Sequence, residues 1–426
     1  MSQKTEQSDH ANQVVEHFFR HEYSKVIAGL TGKYGVVHID LIEDAVQEAL
    51  IKAMGSWPFN EVPKNPSGWI YQVARNHLLD TLKRDSKMES SRETEQMTSA
   101  SDEIVMTDLP SDIEIQDEEL RMMFVCCHPS LSIEYQIVLT LKWLCGFSNA
   151  EIASALLKKE DAVAKALTRG KAKLKTAEDA MHIPLGKDLE QRLAVMLKIL
   201  YLLFNEGYSA SQGAALIKQD LCFESIRLGS ILLQNKHCNI APLYALLALM
   251  CFQASRFNAR INAGGEFVTL ENQNRLLWDQ RLIAKGNAYL AKASETEVIT
   301  DYHAQAGIAY YHCSAATFEE TRWASILGLY DLQAQITPSP VAALNRIVAF
   351  AKVHGAQKGL KELAKIEKEK KLQQYYLFYA IKGELLRNAG DLPKAASVLK
   401  EAIKLTQNET EKTFLKKKLE TLFDSK

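Results

Sequence analysis

The chain has few residues that break helices. It contains 10 prolines and 20 glycines in 426 residues, and no segment alternates apolar and polar residues over the length of a strand. Apolar residues instead recur three and four positions apart through most of the chain. We therefore expect an all-α protein. Its length and its 47% hydrophobic content allow two to four domains.

Long apolar runs and an excess of either charge are also missing. The longest apolar stretch, "APLYALLALMCFQA" from Ala241, is too short to cross a bilayer. The N-terminus lacks the apolar core of a signal peptide, so we expect a cytoplasmic protein without membrane contact. Because 51 Lys and Arg nearly balance 52 Asp and Glu, any nucleic-acid surface must be a local patch.

The seven cysteines form no C-x-x-C pair, so we expect reduced thiols without a disulfide, metal or cofactor. The strongest enzymatic candidate is "CCHP", in which Cys126, Cys127 and His128 could form a thiol–imidazole pair or part of a metal site. Adjacent residues of a helix point in different directions, and cysteine commonly packs as a small apolar residue. We therefore expect no enzyme.

Composition divides the chain into blocks. Between Met88 and Glu119, eleven acidic residues accompany the single basic residue Arg92, which predicts a flexible acidic linker. A second break lies at "AMHIPLGKD", and a long helical region follows it. The last part, "YYLFYAIKGELLRNAGDLPKAASVLKEAIKLT", has the rhythm of a tetratricopeptide helix pair. The expected segments are residues 10–87, the linker 88–118, residues 119–180, and a C-terminal region 187–426.

A helix in the first block has an unusual outer face. The segment "IDLIEDAVQEALIKAM" gathers its apolar residues on one broad side. An isoleucine among carboxylates favours a protein-docking surface, although an ordinary solvated face is the alternative. The residues expected on this outer face are Glu43, Asp44, Gln47, Glu48 and Ile51.

The next helix, "SGWIYQVARNHLLDTLKR", is expected to begin with Asn65 as its N-cap and Pro66 in its first turn. An outward Trp beside amides and cations suits unpaired bases, which stack on flat apolar surfaces. A helix packed on two sides within a bundle explains the pattern equally well. The inward set is Ile70, Val73, Ala74, Leu78 and Leu82. The outward set is Trp69, Asn76, Leu79, Asp80 and Lys83, with Arg75 and Arg84 at the edges.

The second block contains two short helices in "SNAEIASALLKKEDAVAKALTRGKAKL". Ser148 and Glu151 form a predicted capping box at the start of the first. Seven basic and three acidic residues lie between Glu151 and Lys175, which is a local basic patch. It fits a DNA-reading helix-turn-helix or a solvated helical hairpin. In the second helix Val163, Leu167, Gly170 and Leu174 should face inwards, and Lys165, Thr168 and Arg169 outwards.

Taken in order, these segments resemble a bacterial sigma factor of the sigma-70 superfamily, of the extracytoplasmic-function type. "DAVQEALIKAM" is similar to the core-binding helix of region 2, and "NPSGWIYQVARNHLLDTLKR" to its promoter-melting helix, which reads the −10 element. "VLTLKWLCGFSNAEIASALLKKEDAVAKALTRGKAKL" is similar to region 4, which reads the −35 element. "LYLLFNEGYSAS" and the final helix pair resemble the subgroup with a long tetratricopeptide-like C-terminal extension.

The resemblance implies a factor that binds core RNA polymerase, recognises both promoter elements and promotes DNA melting without covalent chemistry. Its implied partners are the β′ clamp helices and β flap of the polymerase, promoter DNA, and a regulatory protein on the C-terminal domain. The implied polymerase-binding residues are Asp44, Gln47, Glu48 and Ile51. The implied −10 residues are Trp57, Trp69, Arg75, Asn76, Asp80, Lys83 and Arg84, with a base captured by loop 57–65. The implied −35 residues are Lys158, Lys165, Thr168, Arg169 and Lys171.

Two departures from the family pattern affect the −35 helix. Ala162, Ala164 and Ala166 stand where the family often has Thr, Lys and Arg, which makes the helix slim and favours phosphate contacts over base reading. Gly170 replaces the usual Ala, at a helix-propensity cost of about 1 kcal/mol. An alternative function is a helix-turn-helix regulator fused to a helical-repeat adaptor, binding duplex DNA without polymerase. That alternative gives Trp69 and Ile51 no role.

Overall fold

The structure, a computed structural model, describes residues 22–57, 62–90, 112–156, 158–177, 180–209, 215–262, 268–406 and 409–423. These residues form helices and turns with no β-strand, which confirms the expected all-α class. None of the described helices is both long and apolar enough to span a bilayer. The chain divides into two compact units, residues 1–206 and 207–426.

The first three helices of the first unit pack around a common core. Asn65 caps the third helix as predicted, because its Oδ1 accepts a hydrogen bond from the backbone N–H of Gly68 at 2.9 Å. Ile42, Ile70 and Leu78 are completely buried between the second and third helices. The elements are α1 (residues 22–34), a 3-10 turn (Val36–His38), α2 (Ile39–Ser56) and α3 (Pro66–Ser90).

Four helices follow: α4 (Asp112–Cys126), α5 (Ile133–Trp143), α6 (Asn149–Ala155) and α7 (Glu160–Lys175). The predicted capping box at Ser148 and Glu151 is present in both directions. The four residues expected to face inwards on α7 are all buried. A Cβ at Gly170 would lie 3.0 Å from Cδ1 of Leu139, so this glycine lets α7 approach α5 closely.

Helices overlap both ends of the expected acidic linker, 88–118, whose extent stays a prediction. Helix α3 continues to Ser90 and α4 begins at Asp112. Acidic residues are favourable in the first turn of a helix, where they interact with its dipole, so the acidic segment "DIEIQDEE" is compatible with a helix start. Residues 91–111 of the expected linker lie outside the described part of the chain.

Helix α8 (Gly186–Ser209) crosses from the first unit into the second. The two units divide between Glu206 and Gly207, and the C-terminal domain start expected at residue 187 stays a prediction. A sequence break marks the start of a helix and does not show with which neighbours its two halves pack. Arg192, in the first half of α8, lies close enough to Cys127 of α4 to affect the pKa of that thiol.

In the second unit, helices that follow one another in the chain pack as pairs, including α10 with α11, α13 with α14, and α17 with α18. Its further helices are α9 (Ala215–Leu232), α10 (Ala241–Ala254), α11 (Gln280–Ala293), α12 (Asp301–Ser314), α13 (Trp323–Ile336), α14 (Pro340–His354), α15 (Ala356–Ile366), α16 (Lys370–Gln373), α17 (Tyr376–Asn388), α18 (Leu392–Leu405) and α19 (Glu409–Glu420). Three 3-10 turns, Phe257–Ala259, Leu270–Asn272 and Arg275–Leu277, lie between α10 and α11.

The helix–turn–helix predicted near the C-terminus is present as α17 and α18. Gly390 in the "NAGD" turn has φ +86, a left-handed conformation that favours glycine. Ala395 and Ala402 are completely buried, and a Cβ at Gly383 would lie 2.9 Å from Leu399. Small residues therefore allow the close packing of this pair, as the sequence predicted.

Candidate nucleic-acid interface

The outward face of α3 carries polar and charged side chains. Asn76, Asp80, Lys83 and Arg84 are exposed, as predicted from the helical periodicity. The Nε2 of Gln72 donates to Oδ1 of Asn76 at 3.0 Å, and Gln72 is itself buried. This hydrogen bond fixes the rotamer of the Asn76 amide, so its NH2 group can donate to a ligand on the outside of the helix.

Arg75 is held by a residue that the sequence did not point to. Its Nε donates to the hydroxyl of Tyr34, at the end of α1, at 3.2 Å. Arg75 is half-buried between this contact and the exposed face of α3. Tyr34 therefore acts as a positioning residue for the guanidinium, and no local pattern in α3 could have revealed it because the two residues lie 41 positions apart.

Trp57 and Trp69 pack against each other rather than standing in solvent. Their ring centroids are 5.7 Å apart with planes at 61°, an edge-to-face arrangement. Both are half-buried, so the expectation of a fully outward Trp69 is corrected: the end of α2 covers one side of it. The pair forms a partly accessible aromatic surface where α2 ends and α3 begins. Residues 58–61 of the expected base-capturing loop lie outside the described residues.

The exposed face of α2 combines apolar and polar side chains. Asp44, Gln47 and Ile51 are exposed, Ile51 to 63%. Met54, which the sequence interpretation missed, continues the same face and is 62% exposed. Glu48 lies beside it and is half-buried, with its Oε1 3.9 Å from Nζ of Lys52. Two exposed large apolar residues at helical spacing form a surface suited to another protein.

Glu43 is not on the exposed face where the helical wheel placed it. Only 7% of the residue is exposed. Its Oε1 accepts a hydrogen bond from Nε1 of Trp143 at 2.6 Å, and its Oε2 accepts one from Lys171. The wheel describes α2 alone, and it could not show that α5 and α7 cover this side of the helix.

Helix α7 presents only part of its basic face to solvent. Lys165, Thr168 and Arg169 are exposed, as predicted. Lys158, which precedes the helix, pairs with Glu134. The Oγ1 of Thr168 donates a hydrogen bond to the backbone carbonyl of Ala164 at 3.0 Å, so the hydroxyl proton is used within α7. The exposed cations of α7 are therefore Lys165, Arg169 and Lys173.

Lys171, expected to contact DNA, is covered. Its side chain is 16% exposed, and its Nζ pairs with Asp40 and Glu43 of α2. Burial alone would lower the pKa of Lys171, but the charge and hydrogen bond of Glu43, with those of Asp40, outweigh it and raise the pKa. Lys175 also pairs with Asp40. The implied −35 contact of Lys171 stays a prediction, and in this arrangement the side chain is bound to α2.

The three alanines of α7 do not share one environment. Ala162 is exposed, Ala164 is half-buried and Ala166 is buried beside Leu167. Alternate residues of a helix are about 200° apart, so three such positions cannot lie on one face. Only Ala162 and part of Ala164 therefore make the exposed side of α7 narrow, because Ala166 does not reach the surface.

The cysteine–histidine segment lacks the features of a nucleophilic site. Cys126 and Cys127 are buried at the end of α4. Burial raises the pKa of Cys127 to about 12 and holds that of Cys126 well above its usual value, so neither is a thiolate at neutral pH. Nδ1 of His128 lies 2.8 Å from Oγ of Ser130. These residues act in packing and turn formation.

A groove of about 1300 Å³ lies in the second unit. Lys352 sits in it with Nζ 4.6 Å from the ring centroid of Phe318 and 3.8 Å from a carboxylate oxygen of Glu271. Asn345 and Asn388, on α14 and α17, are exposed and also line it. The lining comes from helices far apart in the chain, so no single motif could have predicted it.

Comparisons with known proteins identify three matching families and one relative. Residues 21–88 match Sigma-70 region 2, and residues 121–174 match Sigma-70, region 4. Residues 192–294 match a family of unknown function, DUF6596. An uncharacterized protein of Rhizobium meliloti (strain 1021) is 35% identical over 387 residues, which are 90% of this chain and 90% of the relative. No solved structure matches.

The matches cover the helices that carry the candidate interface. The region 2 match contains α2 and nearly all of α3, and the region 4 match contains α5, α6 and nearly all of α7. No catalytic family is among them, and the full-length relative shares the extension beyond region 4. The chain belongs to the sigma-70 family, as an extracytoplasmic-function-like sigma factor with a C-terminal helical extension.

Proposed function

We propose that this sigma factor binds core RNA polymerase through α2, engages the −10 element through α3 and the −35 element through α7, and favours DNA melting. The observation that carries the proposal is the pair of different surfaces on two adjacent helices. One is the apolar and polar stripe of α2, and the other is the aromatic and amide surface of α3. A regulator that only binds duplex DNA needs neither.

Polymerase docking is assigned to Asp44, Gln47, Glu48 and Ile51, with Met54 extending the apolar part. Exposed apolar residues beside carboxylates favour a partner helix that offers both apolar and basic side chains. The β′ clamp helices are the implied partner. The β flap is the implied partner of the region 4 domain.

Strand separation is assigned to the surface formed by Trp57, Trp69, Arg75, Asn76 and the charged residues Asp80, Lys83 and Arg84. Stacking of a base on an aromatic ring contributes about 1–3 kcal/mol. This is similar to the mean stacking energy of about 1.4 kcal/mol for a DNA base-pair step. Stacking one or two unpaired bases on these rings therefore offsets the stacking free energy lost when one or two base-pair steps open, and it shifts the equilibrium from closed to open DNA.

The −35 contacts are assigned to Lys158, Lys165, Thr168, Arg169 and Lys171. The exposed lysine and arginine side chains are suited to phosphates, and Thr168 to a base edge or sugar. Lys171 can join them only when it leaves Asp40 and Glu43.

The C-terminal helical domain is assigned a regulatory role, with the groove around Lys352 as the site for a regulatory protein. The groove offers exposed amides, which pair with the backbone of an extended segment, and aromatic rings, which pack on its side chains. Lys352→Glu should change polymerase-dependent transcription in cell extract without changing duplex binding by the purified protein. If the native protein and the Lys352→Glu variant support equal transcription in extract, the groove is not the regulatory site.

The function is tested with full-length protein and core polymerase on a library of promoter templates. Promoter-specific run-off transcripts should form only when both are present. Tight, specific binding to a promoter duplex without polymerase, together with no transcripts, would instead favour the alternative adaptor function.

Two variants separate docking from melting. Ile51→Asp places a charge in the apolar stripe and should abolish co-elution with core polymerase. The matched control is Leu185→Asp, which places the same charge at an apolar residue that is 71% exposed and lies outside α2; this variant should co-elute normally.

Asn76→Ala combined with Lys83→Ala should retain polymerase binding and weaken open-complex formation, measured by permanganate reactivity. Unchanged permanganate reactivity would contradict the role given to α3.

A further inference from the structure

Two arginines of the second unit lie against the same tryptophan ring, beside the 3-10 turns that connect α10 and α11. Cζ of Arg275 is 4.6 Å from the ring centroid of Trp278, and Cζ of Arg256 is 5.7 Å from the same centroid. Both guanidinium groups are within about 6 Å of the ring, the range of a cation–π interaction. The fold therefore brings two positive charges close together.

Neutral oxygens accept the hydrogen bonds of both arginines within the described chain. Nε of Arg256 donates to Oε1 of Gln273 at 3.2 Å. Nη1 of Arg275 donates to the backbone carbonyl of His312 at 2.6 Å and to that of Ala315 at 2.7 Å. None of these acceptors carries a charge, and no carboxylate of a described residue forms an ion pair with either arginine.

Carboxylates act on this pair of arginines only from beyond ion-pair distance. Burial lowers the pKa of Arg275 and the charge of Arg256 lowers it further, while Glu319 and Glu320 oppose this change. Both glutamates are exposed, so ions in the solvent screen their charges. The two partly buried guanidinium groups therefore repel each other, and a nearby anion would stabilise both.

Three buried nitrogen atoms beside these charges have no hydrogen-bond partner among the described residues. They are Nη2 of Arg275, Nε1 of Trp278 and Nδ1 of His312, which donates in one of its two neutral tautomers. Arg275 contacts both of the others, since its guanidinium lies on the Trp278 ring and its Nη1 donates to the His312 backbone. Buried donors in proteins are normally hydrogen-bonded, so this cluster indicates a bound acceptor.

His312 connects the cluster to the groove of the second unit. Its side chain lines the groove together with Trp323 and Lys352, and its ring centroid is 5.4 Å from that of Trp323. Burial, followed by the positive charges of Arg256 and Arg275, lowers the pKa of His312 to about 3. The imidazole is therefore neutral at pH 7, and a group that enters from the groove meets it before the two arginines.

The chemistry of these side chains selects a negatively charged acceptor. Two guanidinium groups repel a metal cation, and a neutral acceptor would leave both positive charges uncompensated. A carboxylate or phosphate group has several oxygens, which accept from guanidinium in a bidentate geometry and from indole and imidazole N–H groups. We propose that Arg256, Arg275, Trp278 and His312 form an oxyanion-binding site at the edge of the groove, for a carboxylate or phosphate group.

The oxyanion has two alternative sources. One is a free small anion, and the other is an acidic group on the protein segment that the proposed function places in the groove. The second source rests on the proposed function and adds to it the charge that the regulatory protein must carry. Binding of a free anion does not depend on that function.

The first test follows the indole N–H of Trp278 by NMR, in the full-length protein with its five tryptophans labelled with ¹⁵N. The cross-peak missing from Trp278→Phe identifies it. Sodium phosphate or sodium succinate, titrated against sodium chloride at constant ionic strength, should shift this cross-peak to saturation. The cross-peak missing from Trp143→Phe belongs to a completely buried residue of the first unit and should not move.

The second test compares variants in the same titration. Arg256→Gln should weaken anion binding by about tenfold or more, the factor of one charge-assisted hydrogen bond. Arg275→Gln should do the same, but it also removes a donor to two carbonyls at the end of α12, so circular dichroism must show that it folds. Arg281→Gln, at an exposed arginine of α11, removes the same charge outside the cluster and should bind normally. Native affinity in both cluster variants would overturn the site.

The two sources are distinguished with short blocked peptides that alternate alanine with glutamate or with glutamine. If the oxyanion belongs to a protein segment, the glutamate peptide should bind about tenfold more tightly than succinate. Lys352→Glu should then weaken binding of this peptide and not of phosphate. An affinity no higher than that of succinate assigns the site to a free anion.

Two results would overturn the oxyanion site itself. One is the absence of a saturable shift of the Trp278 cross-peak with phosphate, succinate and the glutamate peptide. The other is equal binding of the glutamate and glutamine peptides without any response to the two salts. None of these measurements requires transcription, so a failure to obtain promoter-specific transcripts would reject the proposed function and leave the oxyanion site in place.

Discussion

The two helices proposed to contact promoter DNA, α3 and α7, differ in how much of their polar face the rest of the first unit covers. On α3, Asn76 and Asp80 are exposed to solvent. On α7, Lys165 and Arg169 are exposed but Lys171 is 16% exposed and bound to α2. The periodicity of a single helix shows which side faces its own core. It does not show whether another domain covers the opposite side.

The cations of α7 that pair with α2, Lys171 and Lys175, lie in its last two turns. A recognition helix usually contacts base edges with its N-terminal residues, while later residues contact the backbone. In the structure Lys165 near the start of α7 is open, whereas Lys171 near its end is bound by carboxylates of α2. Under the proposed function, DNA phosphates would take the place of these carboxylates, since both are anions that accept hydrogen bonds from lysine.

The largest effect is expected where the two domains meet, at Trp143. It is completely buried and donates to Glu43, so Trp143→Ala should lower the free energy of unfolding by about 3–5 kcal/mol. Trp143→Phe keeps most of the volume and loses the hydrogen bond, for about 1–3 kcal/mol. Urea unfolding measures both. A loss below about 1 kcal/mol for Trp143→Ala would contradict this role.

The second largest effect is expected on α3, at Trp69. Trp69→Ala should weaken open-complex formation by about 1–3 kcal/mol, which is about 5- to 150-fold, because a base loses its stacking surface. Trp69→Phe retains a ring and should lose much less. Permanganate reactivity measures the open complex, and co-elution with core polymerase is the control. Equal losses for Ala and Phe would exclude stacking as the cause.

Local features of both helices were predictable from sequence. The N-cap at Asn65, the capping box at Ser148 and the buried face of α7 depend on residues within one or two turns, and all are present. The all-α class and the C-terminal helix pair also follow from local periodicity and turn residues. These predictions succeed because each rests on contacts between near neighbours in the chain.

The features that were missed depend on distant neighbours. Glu43 and Trp143 are 100 positions apart, and Glu43 and Lys171 are 128. A carboxylate on a helix whose other face is apolar normally lies in solvent, so only the tertiary contact could show Glu43 to be buried. The edge-to-face packing of Trp57 on Trp69 likewise depends on how α2 and α3 pack against each other.

A smaller effect is expected on duplex binding, where an exposed cation of α7 is compared with a covered one. In the protein without polymerase, Arg169→Ala should weaken binding to a duplex of random sequence and reduce the salt-dependence slope by about 1, because one phosphate contact is lost. Lys171→Ala should leave the slope unchanged, since that side chain is already paired with α2. Anisotropy titrations at several salt concentrations measure the slopes. Equal slopes for the two variants would show that Lys171 is as available as Arg169.

The smallest effect is expected at Tyr34, whose hydroxyl accepts from Nε of Arg75. Tyr34→Phe keeps the ring and removes the acceptor, so open-complex formation should fall by about 0.5–1.5 kcal/mol, the net contribution of one hydrogen bond. A double-mutant cycle with Arg75→Ala separates positioning from general destabilisation. If Tyr34 acts by orienting Arg75, its substitution has no further effect once Arg75 is removed. If the losses of the two single variants instead add up in the double variant, Tyr34 stabilises the packing of α1 on α3 and does not act by orienting the Arg75 guanidinium.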